Sequence, residues 1–97
     1  MRSTEKAAWL EGLQIVLRDR MDTIGVDVAE LHLRSGIPAS SIRRYLTGRD
    51  GVFPQMASFI GLAHALEMSE VDLLSRVGME QRVILGVYSN APCRRKS

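Results

Sequence analysis

Hydrophobic residues recur every three to four positions along most of the chain, a spacing typical of amphipathic α-helices. The first such stripe contains Leu10, Leu13, Leu17 and Met21, and it predicts a helix over residues 4–21. Four further helices are predicted over residues 27–35, from Pro38 to about residue 46, over 54–66 and over 69–78. Glycine-containing or polar loops separate these segments, so the pattern predicts an all-α protein with five short, closely connected helices.

Capping residues mark several of the predicted helix ends. Asp27 is the expected N-cap of the second helix, since its short carboxylate can accept from the free N–H groups of the first turn. Gly36 is expected in the left-handed conformation that other residues adopt only at a cost. Ser69 is expected to cap the fifth helix together with Asp72, and Gly78 is expected to end it.

The C-terminal part of the sequence has a different character. Residues 82–90, RVILGVYSN, are rich in β-branched side chains, which predicts a strand over residues 82–88. Val83, Leu85 and Val87 would then share one face of it. Residues 91–97 are predicted to form a basic tail. The chain therefore divides into a helical domain, 1–78, and a C-terminal extension, 79–97.

Composition and charge limit the classes of protein. A length of 97 residues, with 45% hydrophobic and 25% charged residues, is typical of one globular domain. The net charge is only +2, but eleven of the thirteen basic residues are arginines. The stretch 34–49 contains four of these arginines and no acidic residue, and guanidinium groups suit phosphates and guanine edges.

Several kinds of site are not predicted. Cys93 is the only cysteine, so the chain can form no internal disulfide and no cysteine-based metal site. We expect no metal, no cofactor and no small-molecule ligand, and we see no arrangement of nucleophile and base that would indicate an enzyme. The first residues lack the apolar core of a signal peptide, and no run is long enough to span a bilayer. These features favour a cytoplasmic protein.

The second and third helices, joined by a glycine turn, are typical of a helix-turn-helix. Helical spacing places Ala39, Ser40, Arg43 and Arg44 on the outer side of the third helix. A major groove admits one helix, in which a methyl group can contact thymine and an arginine can bind guanine through two hydrogen bonds. We therefore expect these four residues to read bases.

Residues 27–75 resemble the lambda-repressor-like, Cro/CI-type helix-turn-helix family. The resemblance lies in the register of Ala-Glu-Leu at 29–31, Gly36-Ile37, Ser-Ser-Ile at 40–42 and Gly48, followed by IGLAHALEMSEVDLL from residue 60. It implies a five-helix fold that binds operator DNA, usually as a dimer on two half-sites.

The resemblance also implies roles for individual residues. Ala39, Ser40, Arg43 and Arg44 match base-reading positions, and Val28, Thr47 and Arg49 match positions near phosphates. We add Arg34, from the acid-free stretch, as a phosphate contact. We add Arg94, Arg95 and Lys96, from the basic tail, as candidate DNA contacts.

Three residues depart from the family pattern. His32 stands where the family usually has alanine, at a point where the two helices approach closely. Val28 stands where the family often has a glutamine that binds a phosphate, and a valine cannot make that bond. Glu67 replaces the glycine that usually ends the fourth helix.

We therefore expect a sequence-specific regulator of transcription that resembles a temperate-phage repressor and acts as a homodimer on double-stranded DNA. Two surfaces are candidates for the dimer contact: Val71, Leu74 and Val77 on the fifth helix, and Val83, Leu85 and Val87 on the predicted strand. The alternative is an antitoxin-like interaction module that captures a partner protein through its C-terminal segment.

Overall fold

Five helices and their connections make up the fold. The computed structural model describes the backbone of residues 3–48 and 51–89 and the side chains of residues 5–48 and 51–86. The helices are α1, Ser3–Ile24; α2, Val28–Ser35; α3, Ala39–Thr47; α4, Met56–Ala65; and α5, Glu70–Ser89. The predicted all-α class is confirmed, and no strand occurs in the described residues.

One hydrophobic core joins the five helices. Its wholly buried side chains come from every helix and from the residue that follows α4: Leu13, Leu17, Leu31, Ile42, Leu62, Leu66, Leu73 and Val77. Phe53, in the loop before α4, stacks on Phe59 with ring centroids 5.9 Å apart and meets Trp9 edge-on at 6.4 Å. The short helices α2, α3 and α4 depend on this packing, because isolated helices of their length are marginal in water.

The predicted strand over residues 82–88 is wrong, because α5 continues as a helix to Ser89. Gly78 does not end the helix but lies buried inside it, so the predicted boundary between residues 78 and 79 falls within α5. Leu73, Val77 and Ile84 are all buried, at spacings of four and seven that keep them on one helical face. Packing of this face outweighs the weak strand preference of the β-branched residues.

Two glycines lie where α1 packs on α5. A methyl group placed on Gly12 would be 3.0 Å from the carbonyl oxygen of Val77, so the backbones approach closely there. A methyl group on Gly78 would meet Trp9 at 3.5 Å, which is an ordinary contact distance. Gly12 therefore allows the close approach, while the site of Gly78 has room for a small side chain.

The end of α4 carries an uncommon backbone conformation. The N–H of Glu67 donates to His64 O and the N–H of Met68 donates to Ala63 O, each at 3.0 Å, which is the Schellman pattern. Glu67 occupies its left-handed position with a φ of 62°, where glycine is usual. The turn therefore keeps the conformation that glycine usually adopts, although a residue with a side chain occupies it.

Two arginines hold this turn in place. Arg34 donates to Ala65 O at 3.0 Å, and Arg20 donates to Leu66 O at 2.9 Å and to Glu67 O at 3.3 Å. Arg34 also pairs with the Glu67 carboxylate at 3.2 Å. Cations suit this position, because the last carbonyl groups of a helix carry partial negative charge.

The predicted cap at Ser69 is present at the start of α5, whereas the Asp72 carboxylate pairs with Arg76. Ser69 Oγ accepts from the N–H of Asp72 at 3.0 Å. Glu70 lies 3.0 Å from His64 Nε2 on α4. A backbone hydrogen bond and then the contact with His64 lower the pKa of Glu70. Because ionised Glu70 is favoured in the folded chain, its stabilising effect is present above its ordinary pKa and is lost as the pH falls through the lowered value.

A Gly78→Ala substitution tests whether α5 is continuous. In the middle of a helix, alanine is favoured over glycine, so we expect the free energy of unfolding to rise by about 0.5–1 kcal/mol. Gly36→Ala is the matched control: Gly36 has a φ of 76°, so alanine there should destabilise the chain. Denaturant unfolding followed by circular dichroism measures both. A loss of stability in Gly78→Ala as large as that in Gly36→Ala would show that the helix ends at Gly78.

A second pair of substitutions tests the strain at Glu67. Glu67→Gly should stabilise the chain by about 1 kcal/mol, because it relieves a left-handed residue that has a Cβ atom. Glu67→Ala keeps the positive φ and loses the ion pair with Arg34, so it should lower stability. If Glu67→Gly is less stable than the unsubstituted chain in thermal unfolding, the ion pair with Arg34 matters more than the backbone conformation.

Candidate nucleic-acid interface

Hydrogen bonds fix both ends of α2 and its connection to α3. Asp27 caps α2 as predicted, since its Oδ1 accepts from the N–H of Glu30 at 2.9 Å. Gly36 adopts the left-handed conformation, also as predicted, and its N–H donates to His32 O at 2.8 Å. Ser35 Oγ donates to Leu31 O at 2.7 Å and accepts from the N–H of Ile37 at 3.1 Å. The three-residue connection 36–38 therefore has one defined geometry.

His32 takes part in the same turn. Its Nδ1 lies 2.7 Å from the carbonyl oxygen of Ile37, which can only accept, so Nδ1 carries the proton in this contact. The side chain is otherwise exposed and does not lie between the two helices. The imidazole is accommodated here because it turns toward the connection between the two helices.

The inner side of α3 is buried and its outer side is exposed. Ile42 and Leu46 belong to the core, and Tyr45 packs against it while half-buried. Ser40, Arg43, Arg44 and Thr47 lie exposed on the opposite side, and Ala39 is half-exposed at the start of the helix. The structure thus brings together the four residues predicted to read bases.

A groove runs beside this exposed side. It has a volume of about 590 Å³ and is lined by Arg18, Val28, Ser40, Arg43, Arg44, Leu46 and Thr47. None of these residues is acidic, and three are arginines. An anion would therefore meet positive charge on more than one wall of the groove.

Arg18 belongs to this groove but was not predicted from the sequence. It lies on α1, and its Nε and Nη2 donate to the carbonyl oxygen of Leu46 at 3.2 and 2.9 Å. It therefore fixes the end of α3 on α1. The sequence carries no signal for this role, because only the tertiary contact with Leu46 distinguishes Arg18 from a surface arginine of an amphipathic helix.

The residues predicted to contact phosphates lie in different places in the structure. Val28 and Thr47 both line the groove, and Thr47 Oγ1 donates to Arg43 O at 2.9 Å. Arg34 is directed to the end of α4, where Glu30, Glu67 and a carbonyl oxygen surround its guanidinium. The hydrogen bond with Glu30 raises the pKa of Arg34 above its ordinary value. Because these contacts use the guanidinium within the chain, we do not retain Arg34 as a phosphate contact.

The predictions for Arg49, Arg94, Arg95 and Lys96 lie outside the described residues.

The N-terminus of α3 differs from that of α2. Pro38 is the N-cap of α3 and supplies no side-chain hydrogen bond, whereas Asp27 supplies both a hydrogen bond and a negative charge at α2. The first N–H groups of a helix carry partial positive charge. An anion would therefore be attracted more strongly to the start of α3 than to the start of α2.

An apolar surface lies apart from this groove. We define it by Trp9, Phe53, Met56, Val71 and Leu74, which line two adjoining depressions between α1, the loop before α4 and the start of α5. The exposed fractions of Val71 and Leu74 are 73% and 47%. These two predicted dimer residues therefore remain available for contact with another molecule.

The other predicted dimer residues lie elsewhere. Val77 is completely buried in the core and offers no surface to a second subunit. Val83 is 64% exposed and Leu85 is half-buried, but on a helix and not on the predicted strand. The side chain of Val87 lies outside the described residues.

Metal-binding clusters and membrane-spanning helices are both absent from the residues that the structure describes. Among residues 3–48 and 51–89, no group of three or more His, Cys, Asp or Glu side chains could hold a metal ion. In the same part of the chain, no helix has both the length and the apolar character needed to cross a membrane.

Comparison of the chain with known protein families, with curated proteins and with solved structures finds no match in any of the three.

Proposed function

We propose that this protein is a sequence-specific, double-stranded DNA-binding regulator of the lambda-repressor-like helix-turn-helix type, acting as a repressor. The observation that carries the proposal is the outer side of α3, where Ser40, Arg43, Arg44 and Thr47 form one exposed row beside an acid-free groove. Two adjacent arginines on a short helix suit this ligand, because guanidinium groups bind both phosphates and guanine edges.

The dimensions of α3 suit a major groove. An α-helix with its side chains is about 10–12 Å across, and B-DNA offers a major groove about 12 Å wide. Arg43 and Arg44 reach outward from the middle of the helix, where each can bind the O6 and N7 atoms of a guanine. Ala39 and Ser40, at the start of the helix, would contact a thymine methyl group and a base or phosphate.

Phosphate contacts would fix the register of this helix on the duplex. Thr47, at the end of α3, and Val28, at the start of α2, lie on the groove walls that a DNA strand would follow. Val28 can offer only its backbone N–H, since its side chain has no donor. The N-terminus of α3, which no side chain caps, adds partial positive charge on the same side.

Two copies of the chain would bind adjacent half-sites. A single recognition helix makes few base contacts, and dimers of such domains bind two half-sites one helical turn apart. The apolar surface is the better candidate for the dimer contact, because Val71 and Leu74 lie next to the aromatic residues Trp9 and Phe53. Binding to DNA would raise the effective concentration of the second copy and so strengthen a weak dimer.

The antitoxin-like alternative loses the observation on which it was based. It relied on an unpaired strand over residues 82–88, and these residues belong to α5. We therefore do not propose capture of a partner protein through this segment.

Substitutions in α3 test base reading. A preferred sequence would first be selected from a pool of random DNA duplexes. Arg43→Ala and Arg44→Ala should each weaken binding to the selected duplex by about 1–3 kcal/mol, with a smaller loss on a scrambled duplex. Arg76→Ala is the matched control, since Arg76 is an exposed arginine on α5 that pairs with Asp72 at 3.5 Å. Equal losses on both duplexes would limit Arg43 and Arg44 to phosphate binding.

A charge placed on the apolar surface tests the dimer. Val71→Glu should abolish self-association in sedimentation experiments, because two carboxylates would be desolvated at the contact. It should also weaken binding to a duplex with two half-sites much more than binding to a single half-site. Val83→Glu is the control, as it places the same charge on an exposed valine elsewhere on α5. If Val83→Glu dissociates the dimer and Val71→Glu does not, the contact lies on the C-terminal half of α5.

A further inference from the structure

Three arginines in this fold donate hydrogen bonds to carbonyl oxygens at the ends of helices. Arg18 donates to Leu46 O at the end of α3, while Arg20 and Arg34 donate to carbonyl oxygens at the end of α4. All three guanidinium groups therefore sit where helix carbonyls carry partial negative charge. This shared task accounts for the position of Arg20 and Arg34 without any ligand.

Arg18 differs from the other two in its surroundings. Its guanidinium lines the same groove as Arg43 and Arg44. Arg34, by contrast, is paired with two carboxylates. Within the described part of the chain, no carboxylate forms an ion pair with Arg18. Its positive charge is therefore not paired with a carboxylate of these residues, and the groove that it lines holds further positive charge.

The hydrogen bonds to α3 leave some N–H groups of Arg18 available as donors. A guanidinium has five N–H groups, and the bonds from Nε and Nη2 to Leu46 O use two of them. The remaining three, on Nη1 and Nη2, are held in a fixed plane by the contact with α3. Little side-chain entropy would be lost when these donors bind an anion, because the side chain is already ordered.

We propose that Arg18 binds a backbone phosphate of double-stranded DNA while it holds the end of α3, and so links that phosphate to the position of the recognition helix. This inference rests on the proposed function. It assigns a DNA contact to α1, outside the helix-turn-helix itself. The phosphate oxygens would accept from the Nη atoms of Arg18, and the Leu46 carbonyl would keep the guanidinium oriented.

Arg18→Met tests the proposal, with Arg20→Met as the matched variant. Each substitution removes the hydrogen bonds that an arginine donates to the end of a helix, so both should lower the unfolding temperature to a similar extent. Only Arg18→Met should weaken DNA binding. The loss should be about tenfold on the scrambled duplex, where phosphate contacts dominate, and at least as large on the selected duplex, because α3 is also held less firmly. The plot of log affinity against log salt concentration should become shallower by about 0.9 for the lost phosphate contact. Arg18→Lys, which keeps the charge, should retain most of that slope.

An unchanged dependence of affinity on salt concentration would contradict the proposal. If Arg18→Met and Arg20→Met give the same salt slope as the unsubstituted chain, Arg18 only holds α3 and the proposal is wrong. That result would leave the proposed function intact, because the Arg43 and Arg44 variants test it separately.

Inorganic phosphate distinguishes the two sources of the anion. Its titration would be followed through the NMR signals of the arginine Nε–H groups, beside the same titration with duplex DNA. A chain that binds no duplex but shows a phosphate-induced shift at Arg18, and none at Arg20, would refute the proposed function and place free phosphate at Arg18. A chain whose Arg18 signal responds to neither probe would overturn the inference.

Discussion

The anchoring of α3 is the physical constraint on which the rest of the account depends. A nine-residue helix is marginal by itself, so its position comes from the contacts of its inner side. Ile42 and Leu46 are buried in the core, Gly36 sets the angle at which α3 begins, and Arg18 binds its last turn to α1. With one side fixed in this way, the other side must face solvent, and that side carries Arg43 and Arg44.

Five of the arginines that the structure describes fall into two groups with different physical uses. Arg18, Arg20 and Arg34 satisfy carbonyl oxygens at the ends of short helices, where the chain would otherwise depend on water. Arg43 and Arg44 are exposed on the outer side of α3, where they line the groove. A basic composition alone does not distinguish these uses, and this is why Arg34 was predicted to bind phosphate although it lies against Glu30 and Glu67. Of these five arginines, Arg18 alone both binds a carbonyl oxygen at a helix end and lines the groove.

Local chemistry made much of the fold predictable from the sequence. The caps at Asp27 and Ser69 and the left-handed turn at Gly36 each depend on neighbouring residues only, and each was found as predicted. The outer residues of α3 followed from helical periodicity. The four residues predicted to read bases are consequently close together in the structure.

The errors occurred where distant contacts decide the outcome. Gly78 was expected to end α5 and residues 82–88 to form a strand, yet packing on α1 keeps the helix continuous. The buried positions of Leu73, Val77 and Ile84 follow one helical period through Gly78, a signal that β-branched composition obscured. Arg18 was missed because its partner, Leu46, is 28 residues away in the chain. No spacing rule connects the two.

The central claim is that α3 is the element that enters the DNA, and NMR mapping on the intact chain tests it most directly. The amide signals would be followed during titration with a duplex selected from a random pool. The account predicts the largest shifts at residues 39–47, with smaller shifts near residue 28 and at the Arg18 side chain. Shifts confined to the apolar surface around Val71 and Leu74, with α3 unaffected, would contradict it.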